Sequence, residues 1–254
     1  MRLSIIIPVL NEQDNITYLL AQLAPLQSQY CELIVVDGGS SDATLANAIG
    51  ADKLLKSKPG RAEQMNVGAA QASGDMLWFL HADSILEGDI NSYVDKLITS
   101  HSWGFFCIKL DGAHILFRLI EGMINLRSSL TSVATGDQGM FVCRTLFDSV
   151  GRFPSVPLME DVALSKSLKY IADANVIHTN KIVTSSRRWQ QRGILVTVLL
   201  MWSLRLQYFF GVSPARLADK YRWENGMKNI VKILLFAKAP EAGKVKTRLI
   251  SELG

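Results

Sequence analysis

Three short runs of apolar, largely β-branched residues constrain the fold of this chain most strongly. They lie at residues 3–8, 33–37 and 76–80. Patterns of amphipathic helices separate them, for example at residues 14–27 and 61–73. Strands that are apolar on both faces need helices on both sides of their sheet. The pattern therefore predicts an α/β, Rossmann-like fold with a mostly parallel sheet covered by helices on both faces.

Beyond residue 100 the pattern becomes less regular. Further strand-like runs occur at residues 103–110, 139–143 and 175–178. They predict a mixed edge to the sheet, followed by C-terminal helices. A chain of 254 residues has room for one large α/β domain and an incomplete extra piece.

Composition excludes some classes of protein and favours one compartment. A net charge of +4 with 20% charged residues does not favour a nucleic-acid partner. The cysteines, Cys31, Cys107 and Cys143, are odd in number and form no CxxC pair. Free thiols favour the cytoplasm. Composition does not decide whether the protein also binds peripherally to the inner face of the membrane, or whether it forms a homo-oligomer.

The residues that follow the predicted strands are the first functional signal. Ligands of doubly wound sheets bind at the carboxyl ends of the strands. Polar residues occupy these positions here: Asn11 and Glu12, then residues 37–42, then residues 81–83. The first strand lacks the GxGxxG loop of dinucleotide-binding enzymes, which disfavours a nicotinamide cofactor.

The segment VVDGGSSDAT has a structural and a functional interpretation. Gly38 and Gly39 permit a tight turn, and Ser40 or Ser41 is expected to cap the next helix. In the functional interpretation, Asp37 receives a nucleoside through hydrogen bonds. Residues alone leave both open.

The segment FLHADS predicts a metal site. A carboxylate directly after a core strand suits a divalent cation, and Mg²⁺ or Mn²⁺ would neutralise nucleotide phosphates. Asp83 is the candidate ligand, whereas His81 is expected to pack or bond locally.

Two later segments are ambiguous. Glu160 and Asp161 are expected to begin a helix, where they either favour its dipole or supply a general base. Arg187 and Arg188 before Trp189 offer guanidinium groups for phosphate and a ring for stacking, or else form a solvated basic turn.

Residues 194–212 form a long apolar stretch, interrupted by Arg205 and Gln207. A spanning helix needs roughly 20 apolar residues, and a central Arg is costly. We expect a buried or interfacial helix here. An interfacial helix would favour a lipid-like acceptor, and a packed one a soluble acceptor.

Together these segments resemble glycosyltransferase family 2 with the GT-A fold. IIIPVLNE, IVVDGGSSDAT, the D-x-D region at residues 81–83 and the later Glu160-Asp161 occur in the family's order, over roughly residues 2–222. GRAEQMNVGA, FLHADS and TSSRRW resemble a subgroup associated with arsenosugar-type biosynthesis.

The resemblance implies an inverting transfer of a sugar from a nucleotide-diphosphate sugar to an acceptor hydroxyl. It implies that Asp161, with Glu160 beside it, supplies the catalytic carboxylate and that Asp83 holds Mg²⁺ or Mn²⁺. The expected substrate-binding residues are Pro8, Asn11, Glu12, Asp37, Arg61, Arg188 and Trp189. His81 replaces the first acid of D-x-D, a change that bears on ribose contacts more than on the metal.

The C-terminal residues resemble a different family. After the domain at 1–222 and a linker at 223–230, residues 231–254 read like the truncated start of a nucleotidyltransferase-like domain. Two alternatives to a glycosyltransferase therefore remain, a nucleotidyltransferase and an inactive GT-A fold that binds a membrane surface.

Overall fold

The computed structural model describes residues 1–100, 102–186, 189 and 193–221. They divide into one compact unit, Met1–Met201, and a second unit that begins at Trp202. The predicted linker at 223–230 and the predicted second-domain segment at 231–254 lie outside the described residues, as do Arg187 and Arg188.

A mixed sheet forms the centre of the first unit. The strands are β1 (Leu3–Val9), β2 (Cys31–Asp37), β3 (Lys53–Lys56), β4 (Met76–Phe79), β5 (Ile85–Leu86), β6 (Trp103–Leu110), β7 (Phe141–Cys143) and β8 (Asn175–Thr184). In the described residues they form one eight-stranded sheet in the order β3-β2-β1-β4-β7-β6-β8-β5. The first four are parallel, β7 runs antiparallel between β4 and β6, and β8 is parallel to β6. The predicted sheet, mostly parallel with a mixed edge, is confirmed.

Helices lie on this framework. They are α1 (Gln13–Leu23), α2 (Thr44–Asn47), α3 (Arg61–Gln71), α4 (Asn91–Ser100), α5 (Ile115–Thr131), α6 (Arg144–Ser149), α7 (Glu160–Leu168) and α8 (Ile194–Phe209). Two short 3₁₀ turns are also present, η1 (Ala24–Leu26) and η2 (Gly136–Gln138). The predicted helix at 14–27 ends at Leu23 because Pro25 follows and the chain tightens into η1.

The core has two sides, as the continuous apolar strands predict. Ile5 and Ile7 of β1 join the buried cluster that includes Ile16 of α1, whereas Ile6 joins the cluster that includes Met65 of α3. Successive side chains of a strand point to opposite faces, so a strand that is apolar throughout is buried on both.

The α3 helix packs very closely on the parallel strands. A Cβ at Gly68 would lie 2.5 Å from Ile6 Cγ2 and 3.0 Å from Val36 Cγ2. The absence of a side chain at Gly68 therefore sets how near α3 comes to β1 and β2. This contact fixes Arg61, the first residue of α3, relative to the strand ends.

One face of helix α8 is buried and the other is exposed. Leu200 and Leu204 are buried, whereas Leu199 and Leu206 are exposed. In the part of the chain that the structure describes, no helix is both long and apolar enough to cross a membrane.

Candidate active site

The loops after β1 and β2 interlock at the carboxyl edge of the sheet. The Asn11 N–H donates to Ser40 Oγ at 2.9 Å, and Asn11 Oδ1 accepts from the Ser41 N–H at 2.9 Å. Asn11 adopts a left-handed conformation, φ 55°, which asparagine tolerates better than most residues. The Glu12 N–H donates to Thr44 Oγ1. Two predicted substrate residues thus hold one loop against the next, and Pro8 lies half-buried at the end of β1.

Asp37 is almost fully buried at the end of β2, with 1% of its surface exposed. Its carboxylate accepts from the Gly39 N–H at 3.0 Å, the Ser40 N–H at 3.1 Å and the Ser40 hydroxyl at 2.5 Å. The carboxylate therefore holds the loop in shape. Because the Asp37 oxygens bond within the loop, the exposed groups of the loop are better placed than Asp37 to bind a nucleoside.

The expected serine cap of the following helix is wrong. Ser40 bonds to Asp37, and α2 begins after Ala43 without a side-chain cap at that residue. Asp42 accepts from the Thr44 N–H at 3.0 Å instead. A carboxylate two residues upstream competes well for this donor because it is charged.

Gln64 is a buried residue of this edge that sequence reasoning missed. Its side-chain amide donates to the carbonyls of Val9 and Val36, both at 2.8 Å. It therefore ties α3 to the ends of β1 and β2 and satisfies two carbonyls where those strands end. A polar residue on the apolar stripe of the predicted helix was the available signal.

Glu160 and Asp161 begin α7, as predicted. Asp161 Oδ2 accepts from the Gly136 N–H at 2.7 Å, and its Oδ1 accepts from the Val162 N–H at 2.6 Å. Burial, followed by the adjacent charge of Glu160, raises the pKa of Asp161 to about 7, while the two N–H donors and Arg61 oppose the rise. The carboxyl is thus fixed in orientation and poised to exchange a proton near neutral pH.

His81 lies beside the same turn. A Cβ built on Gly136 would come within 2.7 Å of His81 Nε2 and 3.7 Å of Asp161 Oδ2. His81, two residues after β4, and Asp161, in the first turn of α7, therefore both lie near one glycine of η2. The local packing or bonding role expected of His81 stays a prediction.

Arg127 of α5 is a second residue that the sequence did not single out. Its Nη2 donates to Ser128 Oγ at 2.5 Å, and its buried Nε has no hydrogen-bond partner. Burial lowers the pKa of Arg127, against the charges of Asp137 and Asp161. The guanidinium thus contributes positive charge near the candidate base.

Asp83 lines a cleft of about 360 Å³. The other lining residues are Asp14, Asn15, Tyr18, Ala82, Ser84, Ile85, Asp111 and Ser185. Within the described residues no group of three or more His, Cys, Asp or Glu side chains is placed to hold a metal. Mg²⁺ is commonly held by one or two carboxylates together with substrate phosphates. Asp83 therefore fits a cation that arrives with a nucleotide and does not fit an all-protein metal site.

Trp189 packs half-buried against the small cluster of Leu110, Phe117 and Ile120. Its indole contributes to the packing of α5 on β6. Arg188, its expected partner in phosphate binding, falls outside the described residues.

Comparison with known sequences identifies the N-terminal part of this fold. Residues 4–100 match the family model of Glycosyl transferase family 2. The match covers less than half of the chain and shows a similarity of this segment to that family. The matched stretch contains β1, β2 and β4. It includes Asp37 at the end of β2 and Asn11 and Asp83 in the loops after β1 and β4. Two curated relatives, uncharacterised glycosyltransferases from two strains of Mycobacterium tuberculosis, are 38% identical over 92 residues. The alignment covers 32% of this chain and spans only 35% of the length of those relatives.

Solved structures show a similar fold over most of the chain. TarS of S. aureus (residues 1–349, with UDP) gives a TM-score of 0.59 at 20% identity, over 73% of this chain and 60% of that one. Glucosyl-3-phosphoglycerate synthase from Mycobacterium tuberculosis, with Mg²⁺ and UDP, gives 0.52 at 20% identity, over 72% and 69%. This likeness confirms the GT-A type of fold that the sequence predicts. It does not bear on the arsenosugar-type subgroup, which stays a prediction.

Proposed function

We propose that this protein is an inverting glycosyltransferase that moves a sugar, of the hexosyl type, from a nucleotide-diphosphate sugar to an acceptor hydroxyl. The observation that carries the proposal is the state of Asp161. Its carboxyl is oriented by the N–H groups of Gly136 and Val162, and its pKa is raised to about 7. A base with a pKa near the working pH is both sufficiently ionised and sufficiently basic to accept a proton.

In the proposed reaction the acceptor oxygen attacks the anomeric carbon as its proton passes to Asp161. The bond from that carbon to the diphosphate breaks, and its electron pair leaves with the nucleoside diphosphate. Direct displacement with a single base inverts the anomeric configuration. The transition state would resemble the oxocarbenium-like one of glycoside hydrolysis, with an alcohol in place of water.

Other residues bind and orient the substrates in this proposal. The interlocked loops of Asn11, Glu12 and Asp37, with Pro8, would hold the nucleoside. Arg61 would face the diphosphate, and Arg188 with Trp189 would lie near the acceptor. Mg²⁺ or Mn²⁺, held by Asp83 together with the donor phosphates, would supply charge neutralisation for the leaving group. Glu160 would keep the pKa of Asp161 high through its adjacent charge.

A panel of nucleotide sugars tests the proposal, first by thermal shift with and without Mn²⁺ and then by product analysis. A bound donor raises the melting temperature by mass action. We expect at least one nucleotide-diphosphate sugar to do so and to release a nucleoside diphosphate during turnover. Release of pyrophosphate would indicate a nucleotidyltransferase, and the absence of any stabilising donor would indicate an inactive GT-A fold.

A further inference from the structure

Helix α5 exposes an apolar stripe that the catalytic proposal does not use. Ile115, Leu119, Leu126 and Leu130 are each 61–77% exposed. Their spacing of four, seven and four residues places them on one face of the helix. Phe117 and Ile120 lie on the other side and are buried. The helix thus packs by one apolar face and presents a second apolar face to the surroundings.

Helix α8 shows the same arrangement. Leu195, Leu199, Trp202, Leu206 and Phe209 are 58–74% exposed and follow one another at intervals of four and three residues. Thr197, Leu200 and Leu204 are buried. Long exposed apolar stripes of this kind mark an interaction surface.

Helix α5 and the first turns of α8 are neighbours within the first unit. Phe117 and Ile120 of α5 form a cluster against which Ile194 and Val198 of α8 pack. The outer stripe of α5 and the first turns of the outer stripe of α8 therefore belong to adjacent helices. We call the exposed Ile115, Leu119, Leu126 and Leu130 of α5, together with Leu195 and Leu199 of α8, the apolar surface.

The stretch of sequence that contains α8 is strongly positive. Residues 184–222 contain one acid, Asp219, and seven basic residues, which are Arg187, Arg188, Arg192, Arg205, Arg216, Lys220 and Arg222. The net charge of this stretch is +6 and that of the whole chain is +4, so the rest of the chain has a net charge of −2. Helix α8 has no acid, and the single acid of α5, Glu121, is buried and paired with Arg118.

We propose that the apolar surface docks on a bilayer that contains anionic lipid. An exposed apolar stripe with surrounding cations is the combination that holds a helix at a headgroup boundary. Trp202 on the stripe of α8 is the residue type that favours this boundary. A second copy of the chain fits less well, because an isologous contact would bring two such cationic segments together. The proposal does not depend on the proposed catalysis.

Vesicle flotation with the full chain tests it. The probes are phosphatidylcholine vesicles with and without about one-third phosphatidylglycerol, at low and high salt. We expect binding to the anionic vesicles at low salt and weaker binding at high salt, because salt screens the charges. Leu119→Asp with Leu126→Asp, and separately Leu195→Asp with Leu199→Asp, should each weaken binding roughly tenfold or more.

The control variant replaces two exposed aliphatic residues elsewhere in the first unit by Asp. Ile49 and Ile171 are 84% and 60% exposed, so Ile49→Asp with Ile171→Asp should fold and bind like the wild type. Circular dichroism verifies that every variant is folded. Absence of wild-type binding at low salt would overturn the proposal, as would equal binding by the stripe variants and the control. A wild-type dimer that the stripe variants dissociate, without vesicle binding, would assign the surface to a second copy.

Discussion

At the scale of single residues, Asp161 combines a fixed position with an unfavourable charge. Its two N–H donors stabilise the ionised form, but burial and Glu160 oppose it more strongly and raise its pKa to about 7. In an unfolded chain the pKa of an aspartate is about 3.9. The folded state therefore retains a proton between these two values that the unfolded state has lost.

The consequence is a pH-dependent cost in stability. The cost is absent below about pH 4, grows as pH rises and is complete above about pH 7. Asp161→Asn removes it but forfeits one hydrogen bond, because an amide has one acceptor oxygen for two N–H donors. We expect the variant to be more stable by about 1–2 kcal/mol at pH 8 and less stable by about 1–2 kcal/mol near pH 4, where only the lost hydrogen bond remains. Urea unfolding at both pH values measures this, and a pH-independent difference would contradict the assigned pKa.

Asp83 is the residue on which metal dependence is predicted to rest. Asp83→Ala should abolish the Mn²⁺-dependent part of donor binding. The described residues contain no group of three or more His, Cys, Asp or Glu side chains that could hold the ion without Asp83. Isothermal titration of the donor with and without Mn²⁺ tests this, and Asp111→Ala, in the same cleft, is the matched variant. If donor affinity stays Mn²⁺-dependent in Asp83→Ala, Asp83 is not the metal ligand.

The sequence predicted residues whose chemistry follows from their place in a motif. Asp161 and Asp83 could be proposed from the sequence because strand ends and helix starts are predictable positions. Gln64 and Arg127 were not, because their importance arises from contacts with carbonyls and carboxylates distant in the chain. The use of the Asp37 carboxylate by its own loop likewise depends on a turn whose geometry the sequence does not specify.

At the scale of elements, the approach of α3 to the sheet depends on Gly68. Gly68→Ala should lower the free energy of unfolding by about 1–3 kcal/mol, because its Cβ would overlap Ile6. Gly122 of α5 is the matched control, since nothing lies within 4 Å of the position that a Cβ would take there. Gly122→Ala should raise stability by about 0.5–1 kcal/mol through helix propensity. Equal effects in urea unfolding would contradict the close packing of α3.

Elements with strong periodicity were predicted, and those defined by their neighbours were not. The buried parallel strands β1, β2 and β4 follow from continuous apolar runs. The short edge strands β3 and β5 have too few residues for a pattern, and β8 extends to Thr184 because it pairs with both β6 and β5. Helix α5 is apolar around most of its circumference, which obscures the spacing by which a helix is recognised.

At the scale of the whole molecule, the sheet brings segments from distant parts of the chain to one edge. The loops after β1 and β2 interlock, and His81 and Asp161 both lie near Gly136. The family match covers residues 4–100, whereas the candidate base lies well beyond it. The proposed transfer requires that Asp161 acts in the same reaction as the strand-end residues.

The pH profile of nucleoside-diphosphate release tests that dependence most directly. With a donor chosen by thermal shift, kcat/KM of the wild type should rise with pH to a plateau above about pH 7, as Asp161 ionises. Asp161→Asn should lower turnover by about 10²–10⁴ and abolish that rise, with donor affinity nearly intact. Asp95→Asn, an exposed change on α4, should behave as the wild type. An Asp161→Asn variant that keeps the wild-type rate and pH profile would contradict the account.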